Sequence, residues 1–155
     1  MKIPKKSIGL VFLFFFFSSV WISPGFADSD GIKWYSYDEG MALGEKEGKK
    51  VFVFFTAEWC AYCTKMKKET FTDPSVSAYL NENFISVLAD YDMESTLVTK
   101  YNIRGLPLSY FFSESGDSII QRPGYIPSEK FIHMLRFVHT ESYKKMSLEK
   151  FAEGK

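Results

Sequence analysis

The sequence predicts a single mixed α/β domain with helices on both faces of a central sheet, and three features carry that expectation. Val51-Phe52-Val53-Phe54-Phe55 is a continuous apolar, β-favouring run without alternation, the pattern of a strand buried on both faces inside a parallel sheet. Helix-like and strand-like segments then alternate as far as Phe112. Ser115-Gly116-Asp117 is a hairpin turn between two further strand-like runs. Strand–helix–strand followed by a hairpin and a helix is a layered α/β order.

Taken in order, the first segment stands apart from that domain. Lys2, Lys5 and Lys6 precede an apolar, phenylalanine-rich run from Ile8 to Ile22, and small residues end at Ala27. This is the layout of a secretory signal peptide over residues 1–27, leaving residues 28–155 as the domain. A run of that length rises only ~22 Å as a helix against a hydrocarbon core of ~30 Å, so an uncleaved membrane anchor is the alternative and not the first choice. Ile32 to Tyr35 reads as a short strand or extended lead-in. Asp38 is a fair N-cap for a helix closing at Gly48, and Val51–Phe55 is the buried strand. A helix is expected from about Cys60 to Thr70, and another starts at Asp73-Pro74, with the acid as cap and proline at the first helical position. Phe84–Ala89 is a strand, Glu94–Tyr101 a short helix, Leu108–Phe112 a strand and Ser118–Gln121 its hairpin partner. Pro127 opens a helix with Phe131, Leu135 and Val138 on one face. The tail, Ser142 to Ala152, is expected to be a further helix carrying Tyr143, Met146 and Phe151.

Removing residues 1–27 takes away three lysines and no acid, so the formally neutral chain becomes a domain with three excess negative charges. A mildly acidic domain without a basic block is a poor nucleic-acid binder. Export implies an oxidising compartment, where exposed thiols stay reduced only if something reduces them.

The only two cysteines, Cys60 and Cys63, lie in TAEWCAYCTKM (56–66). A zinc site needs about four ligands; His133 and His139 are far downstream in an apolar-patterned helix, where ordinary side-chain roles fit better, and no metal is expected. A structural staple gains stability by shortening the unfolded chain's loop, and so short a loop removes little entropy. A redox couple fits. A C-x-x-C leaving a buried strand and opening a helix puts Cys60 at the helix N-terminus, where unpaired N–H groups and the dipole favour a thiolate. Cys60 is then the exposed nucleophile and Cys63, one turn on and facing inward, the resolving thiol. Trp59 flanks the site as an apolar shield and a contact for substrate.

AEWCAYC (57–63) after the apolar strand, KYNIRGLP (100–107) and the hairpin ending near Gly124 resemble the thioredoxin superfamily over most of residues 33–138. Phe71-Thr72-Asp73-Pro74 and Gly124-Tyr125 are similar to secreted thioredoxin-like proteins and to the C-terminal domain of the bacterial membrane thiol-electron transporter. The resemblance implies a three-layer α/β/α sandwich with a mixed central sheet, a core at about 33–138 and a helical tail at 140–152. It implies that Pro107 is a cis-proline facing the cysteines, turning the backbone of Leu106 outward to pair with an extended substrate segment. Tyr62 is a further substrate contact.

The chain departs from the family in two places. Phe54 stands where many members bury an aspartate, and an ungapped count puts Leu88 at the facing lysine. Both charges are lost together, as burial demands, so Cys63 needs another proton relay, with Glu58 or water as candidates. Neither Ala61 nor Tyr62 supplies the positive charge that strong oxidants place between their cysteines.

The expected function is a secreted, periplasmic thiol–disulfide reductase without a cofactor, monomeric, acting on client proteins with disulfides and fed by a membrane electron donor. A disulfide-donating oxidase using the same site, or a non-catalytic peptide-binding holdase module, is the alternative.

Overall fold

The structure, a computed structural model, describes Met1 and residues 31–154; the proposed signal peptide lies outside the described residues. Five strands form one sheet: β1 (Trp34–Tyr35), β2 (Lys50–Thr56), β3 (Phe84–Asp90), β4 (Leu108–Phe112) and β5 (Ser118–Pro123), in the order β1-β3-β2-β4-β5. β1 and β2 run parallel to β3, while β4 is antiparallel to β2 and β5 to β4. The uninterrupted apolar run of β2 is explained by its place: from Val51 to Thr56 every residue is buried, with a strand on each side and helices above and below.

The two sheet faces follow the alternation of β2. Phe52 and Phe54 face α2 (Ala61–Glu69), α3 (Pro74–Asn83) and α5 (Ser128–His139), in one core that also holds Cys60, Cys63, Phe71, Phe111 and Phe131. Val51, Val53 and Phe55 face α1 (Tyr37–Glu47) and α4 (Ser95–Lys100), in a second core with Val87, Ile103 and Phe112. This is the three-layer α/β/α sandwich with a mixed sheet. The disulfide-side core is ring-rich: Phe54 meets Phe71 edge-on at 4.8 Å and Phe52 stacks on Phe111 at 5.0 Å, geometries that the aromatic quadrupole favours.

Local signals set most boundaries. Asp73 Oδ1 accepts the backbone N–H groups of Ser75 and Val76, with Pro74 at the first helical position. Gly48 ends α1 with φ 64°, the left-handed conformation open to glycine. α1 packs against the sheet through Gly40 and Gly44, where an added Cβ would lie 2.2 Å from Val87 Cγ2 and 2.5 Å from Val51 Cγ2.

Three expectations shift. Ser36, not Asp38, is the N-cap of α1, and Asp38 falls in the first turn, where its charge still suits the dipole. β5 runs on to Pro123, a residue tolerated on a sheet edge because the missing N–H has no strand to serve there. The tail is not one helix. Glu141 takes a left-handed φ of 57°, Ser142–Lys144 form a 3₁₀ turn, and Ser147 recaps α6 (Leu148–Glu153) by accepting from Lys150 N. Breaking the helix lets Tyr143 and Phe151 both reach Phe137, at 6.4 and 5.4 Å between ring centroids.

Candidate functional site

β2 delivers the chain to the site and α2 carries it away. After Thr56 the backbone makes a tight turn closed by Cys60 N–H donating to Ala57 O at 3.2 Å, and Cys60 becomes the N-cap of α2. Its carbonyl takes the first helical bond, from Thr64 N–H at 3.1 Å. Its sulfur accepts Cys63 N–H at 3.1 Å, as an N-cap side chain does. The two sulfurs are joined in a disulfide, with Cα atoms 5.2 Å apart. The first turn of α2 holds no acid and its last turn holds Lys67 and Lys68, so the helix end that meets Cys60 is positive and uncompensated.

Cys63 is completely buried, whereas Cys60 keeps 6% exposure. The expectation of a freely exposed Cys60 is therefore corrected: in the closed ring its sulfur turns inward, towards Cys63 and the Cys63 N–H. What stands out around it is Trp59 at 66% and Tyr62 at 64% exposure.

Trp59 is held from below. Its indole N–H donates to Asp92 Oδ2 at 2.8 Å, and its ring meets Tyr91 edge-on at 6.1 Å. Asp90 Oδ1 accepts the N–H groups of Asp92 and Met93, and Tyr91 N–H donates to Thr56 O at 2.8 Å. The loop after β3 is thus a third wall of the site, which the sequence reading missed. Its signal was Asp90-Tyr91-Asp92 at a strand end, where aspartates fold back on backbone N–H groups.

The Leu106–Pro107 peptide bond is cis. Pro107 is buried, its carbonyl accepts Gly124 N–H at 2.8 Å, and half-buried Leu106 packs against both cores. The register Phe55–Leu108 places Pro107 one step further along, beside Thr56. Glu58 is exposed in the turn before the cysteines, and among the described residues no hydrogen bond links it to either sulfur.

Phe54 and Leu88 are cross-strand partners, so the two positions do face each other. Phe54 is fully buried, but Leu88 is 36% exposed. The expectation that burial governs both is corrected: β1 ends opposite Val87, leaving Leu88 at the open margin of a shallow groove with Trp34, Lys67 and Phe71.

The lysines of α2 are exposed. Lys65 lies 3.9 Å from Glu69 and 4.7 Å above the Tyr125 ring. Tyr125 donates to Glu69 at 2.7 Å, and this bond holds its phenol above the ordinary value. Thr70 donates to Ile126 O at 2.6 Å. Together these contacts fasten the end of α2 to the loop before α5. His139 shares a 2.8 Å hydrogen bond with Tyr79, and no cluster of side chains suited to a metal occurs among the described residues.

A family model described as thioredoxin-like domain matches residues 37–139. The thiol:disulfide interchange protein DsbD of Tatumella citrea is 32% identical over 109 residues, covering 67% of this chain and 19% of that protein. DsbD of Actinobacillus pleuropneumoniae is 34% identical over 101 residues, 60% of this chain and 17% of that one. The chain thus spans less than a fifth of the curated relatives it matches. A solved thioredoxin from Thermus thermophilus superposes with TM-score 0.65 at 30% identity, over 70% of this chain and 87% of its own. DsbH oxidoreductase shares the fold at 17% identity, with TM-score 0.61 over 75% of this chain and 87% of its own.

Proposed function

The chain belongs to the thioredoxin-like domain family, and from that premise we propose that it is a periplasmic thiol–disulfide oxidoreductase that reduces disulfides of client proteins. The observation that carries the reading is the Cys60–Cys63 disulfide closed across the first turn of α2, with Cys60 as the cap and Cys63 buried behind it.

The chemistry follows from that order. In the dithiol form, the Cys60 thiolate is stabilised by Cys63 N–H and the positive helix end. It attacks one sulfur of a client disulfide, forming a Cys60–client bond and expelling the client's other sulfur as a thiolate. Cys63 then loses its proton to solvent, attacks Cys60 Sγ, closes the ring and releases the second client thiolate. Two electrons leave the protein in each cycle. The Cys60–Cys63 couple turns over only if a donor restores the dithiol, and a membrane thiol-electron carrier has the right chemistry. The similarity to thiol:disulfide interchange proteins supports this assignment.

Trp59, Tyr62 and the Leu106–Pro107 backbone are proposed as the client contacts, with the aromatic rings flanking an extended segment and Leu106 pairing with its main chain. The reducing direction is supported by the absence of a cation at Ala61 or Tyr62. Titrating the mature domain against glutathione buffers tests it. A potential near −270 mV, the value of thioredoxin, is expected, whereas about −120 mV would mark a disulfide donor. Cys63→Ala is expected to accumulate client joined to position 60. A variant that traps nothing, beside a Cys60→Ser protein that still protects clients from aggregation, would leave the holdase reading.

A further inference from the structure

Cys63 has to become a thiolate in a fully buried place, and burial alone opposes that charge. Phe54, in the same core as Cys63, and its cross-strand partner Leu88 are both apolar and offer neither charge nor donor. Three hydroxyls on the same sheet face are buried without a hydrogen-bond partner: Thr56 Oγ1, Ser86 Oγ and Ser109 Oγ. A buried hydroxyl without a partner is costly, and each case calls for an explanation.

The register separates the three. Alternation along β2 puts Thr56 on the face of Phe52 and Phe54, the face that packs against both cysteines. Thr56 is the last residue of β2, four before Cys60, level with Asp90 of β3 and one step past the Phe55–Leu108 pair, towards Pro107, which precedes β4. Ser109 is level with Phe54, one step deeper, and Ser86 is level with Phe52, two steps deeper. Thr56 is thus the unpartnered hydroxyl nearest the sulfur end of the sheet, at 2% exposure.

We propose that Thr56 is a positioning residue for the resolving step, its Oγ–H turning to donate a hydrogen bond to the Cys63 thiolate once the disulfide is open. The bond stabilises the charge without moving a proton. Cys63 still gives its proton to solvent and its electron pair to Cys60 Sγ, and the client sulfur leaves as before. In the disulfide form Cys63 carries no charge, its sulfur is only a weak acceptor, and Thr56 Oγ1 makes no hydrogen bond. The orphaned Oγ1 is the resting state of a donor whose acceptor exists for only part of the cycle.

The inference rests on the pair being a redox couple, but its test does not pass through turnover. In the reduced protein, the ¹³Cβ shift of Cys63 is followed against pH, with the titratable residues of the adjoining segments left in place: Cys60, Glu58, Asp90, Asp92, Lys65 and Lys67. Thr56→Val keeps the shape and removes the donor. It is expected to raise the Cys63 midpoint by about one unit, a roughly tenfold loss of thiolate at a given pH. Thr56→Ser is expected to restore the midpoint, and Ser109→Ala to leave it unchanged. The oxidised Thr56→Val protein is expected to melt no lower than the parent, since it loses only an unpaired hydroxyl. Should Thr56→Val not fold, Thr56→Ala takes its place. An unmoved midpoint in either variant, or an equal shift in Ser109→Ala, would overturn the assignment while leaving client reduction by Cys60 and Cys63 to stand or fall on the trapping experiment.

Discussion

Side chains at this site divide into those that local sequence announces and those that only the tertiary structure brings in. The placement of Cys60, Cys63 and Trp59 was legible because it follows from local position: strand end, helix cap, flank. Pro107 was legible only through the family resemblance. Asp92 was not legible, because its contact with Trp59 spans 33 residues of chain and nothing in either segment names the other. Asp92→Ala is expected to free the indole. Faster exchange of the Trp59 Nε1–H by NMR would report it, with a change in global stability below about 0.5 kcal/mol, as for an exposed hydrogen bond. The cap at Asp73 is a different case, because two backbone donors depend on one carboxylate oxygen. Asp73→Ala is expected to cost about 1 kcal/mol in urea unfolding, with the redox potential unchanged.

Helices and strands were read from periodicity and capping, and the errors cluster where tertiary contacts override those signals. The tail was expected to be continuous because its apolar spacing is helical, but packing two rings on Phe137 outweighs an unbroken helix. Glu141 marks the break. It accepts from Lys144 at 2.8 Å and lies 3.3 Å from Lys50. The Lys144 hydrogen bond first, and Lys50 second, hold its carboxyl below the ordinary 4.5. A carboxyl lowered in the fold supports the fold above its unfolded value and loses that support as pH falls through the folded value. The tail anchor is therefore expected to loosen only on acidification below about pH 4.5, and Glu141→Gln should remove that component from the acid limb of a melting-temperature profile. The effect is small, since the pair is solvent-screened. α1 makes the opposite demand. Gly40 weakens helix propensity, yet an added Cβ meets the buried, β-branched Val87. Gly40→Ala gains about 1 kcal/mol of propensity and loses about 1–3 kcal/mol to overpacking. Net destabilisation on denaturant titration is the expected outcome.

The fold class was readable in advance because one strand, Val51–Phe55, can be apolar on both sides only between helical layers. The depth of Cys60 and the exposure of Leu88 were not readable, because each depends on where a neighbouring element stops. The disulfide closes a very short loop, so reduction is expected to lower stability by about 2 kcal/mol. The dithiol protein should keep its circular-dichroism spectrum and melt less than about 10 °C below the oxidised form; a reduced chain that unfolds would make the bridge structural.

The two flanks of the sheet are guarded in different ways. β1 offers only two residues to any newcomer, while on the far side Arg122 of β5 holds Glu149 of α6 at 3.1 Å, with Pro123 next to it. Under the proposed function the chain meets client proteins, and unpaired strand borders are where it would be recruited into their aggregates. Removing the tail from Leu148 onward while leaving the cysteines untouched is therefore expected to raise the rate of aggregation through β5, read by light scattering.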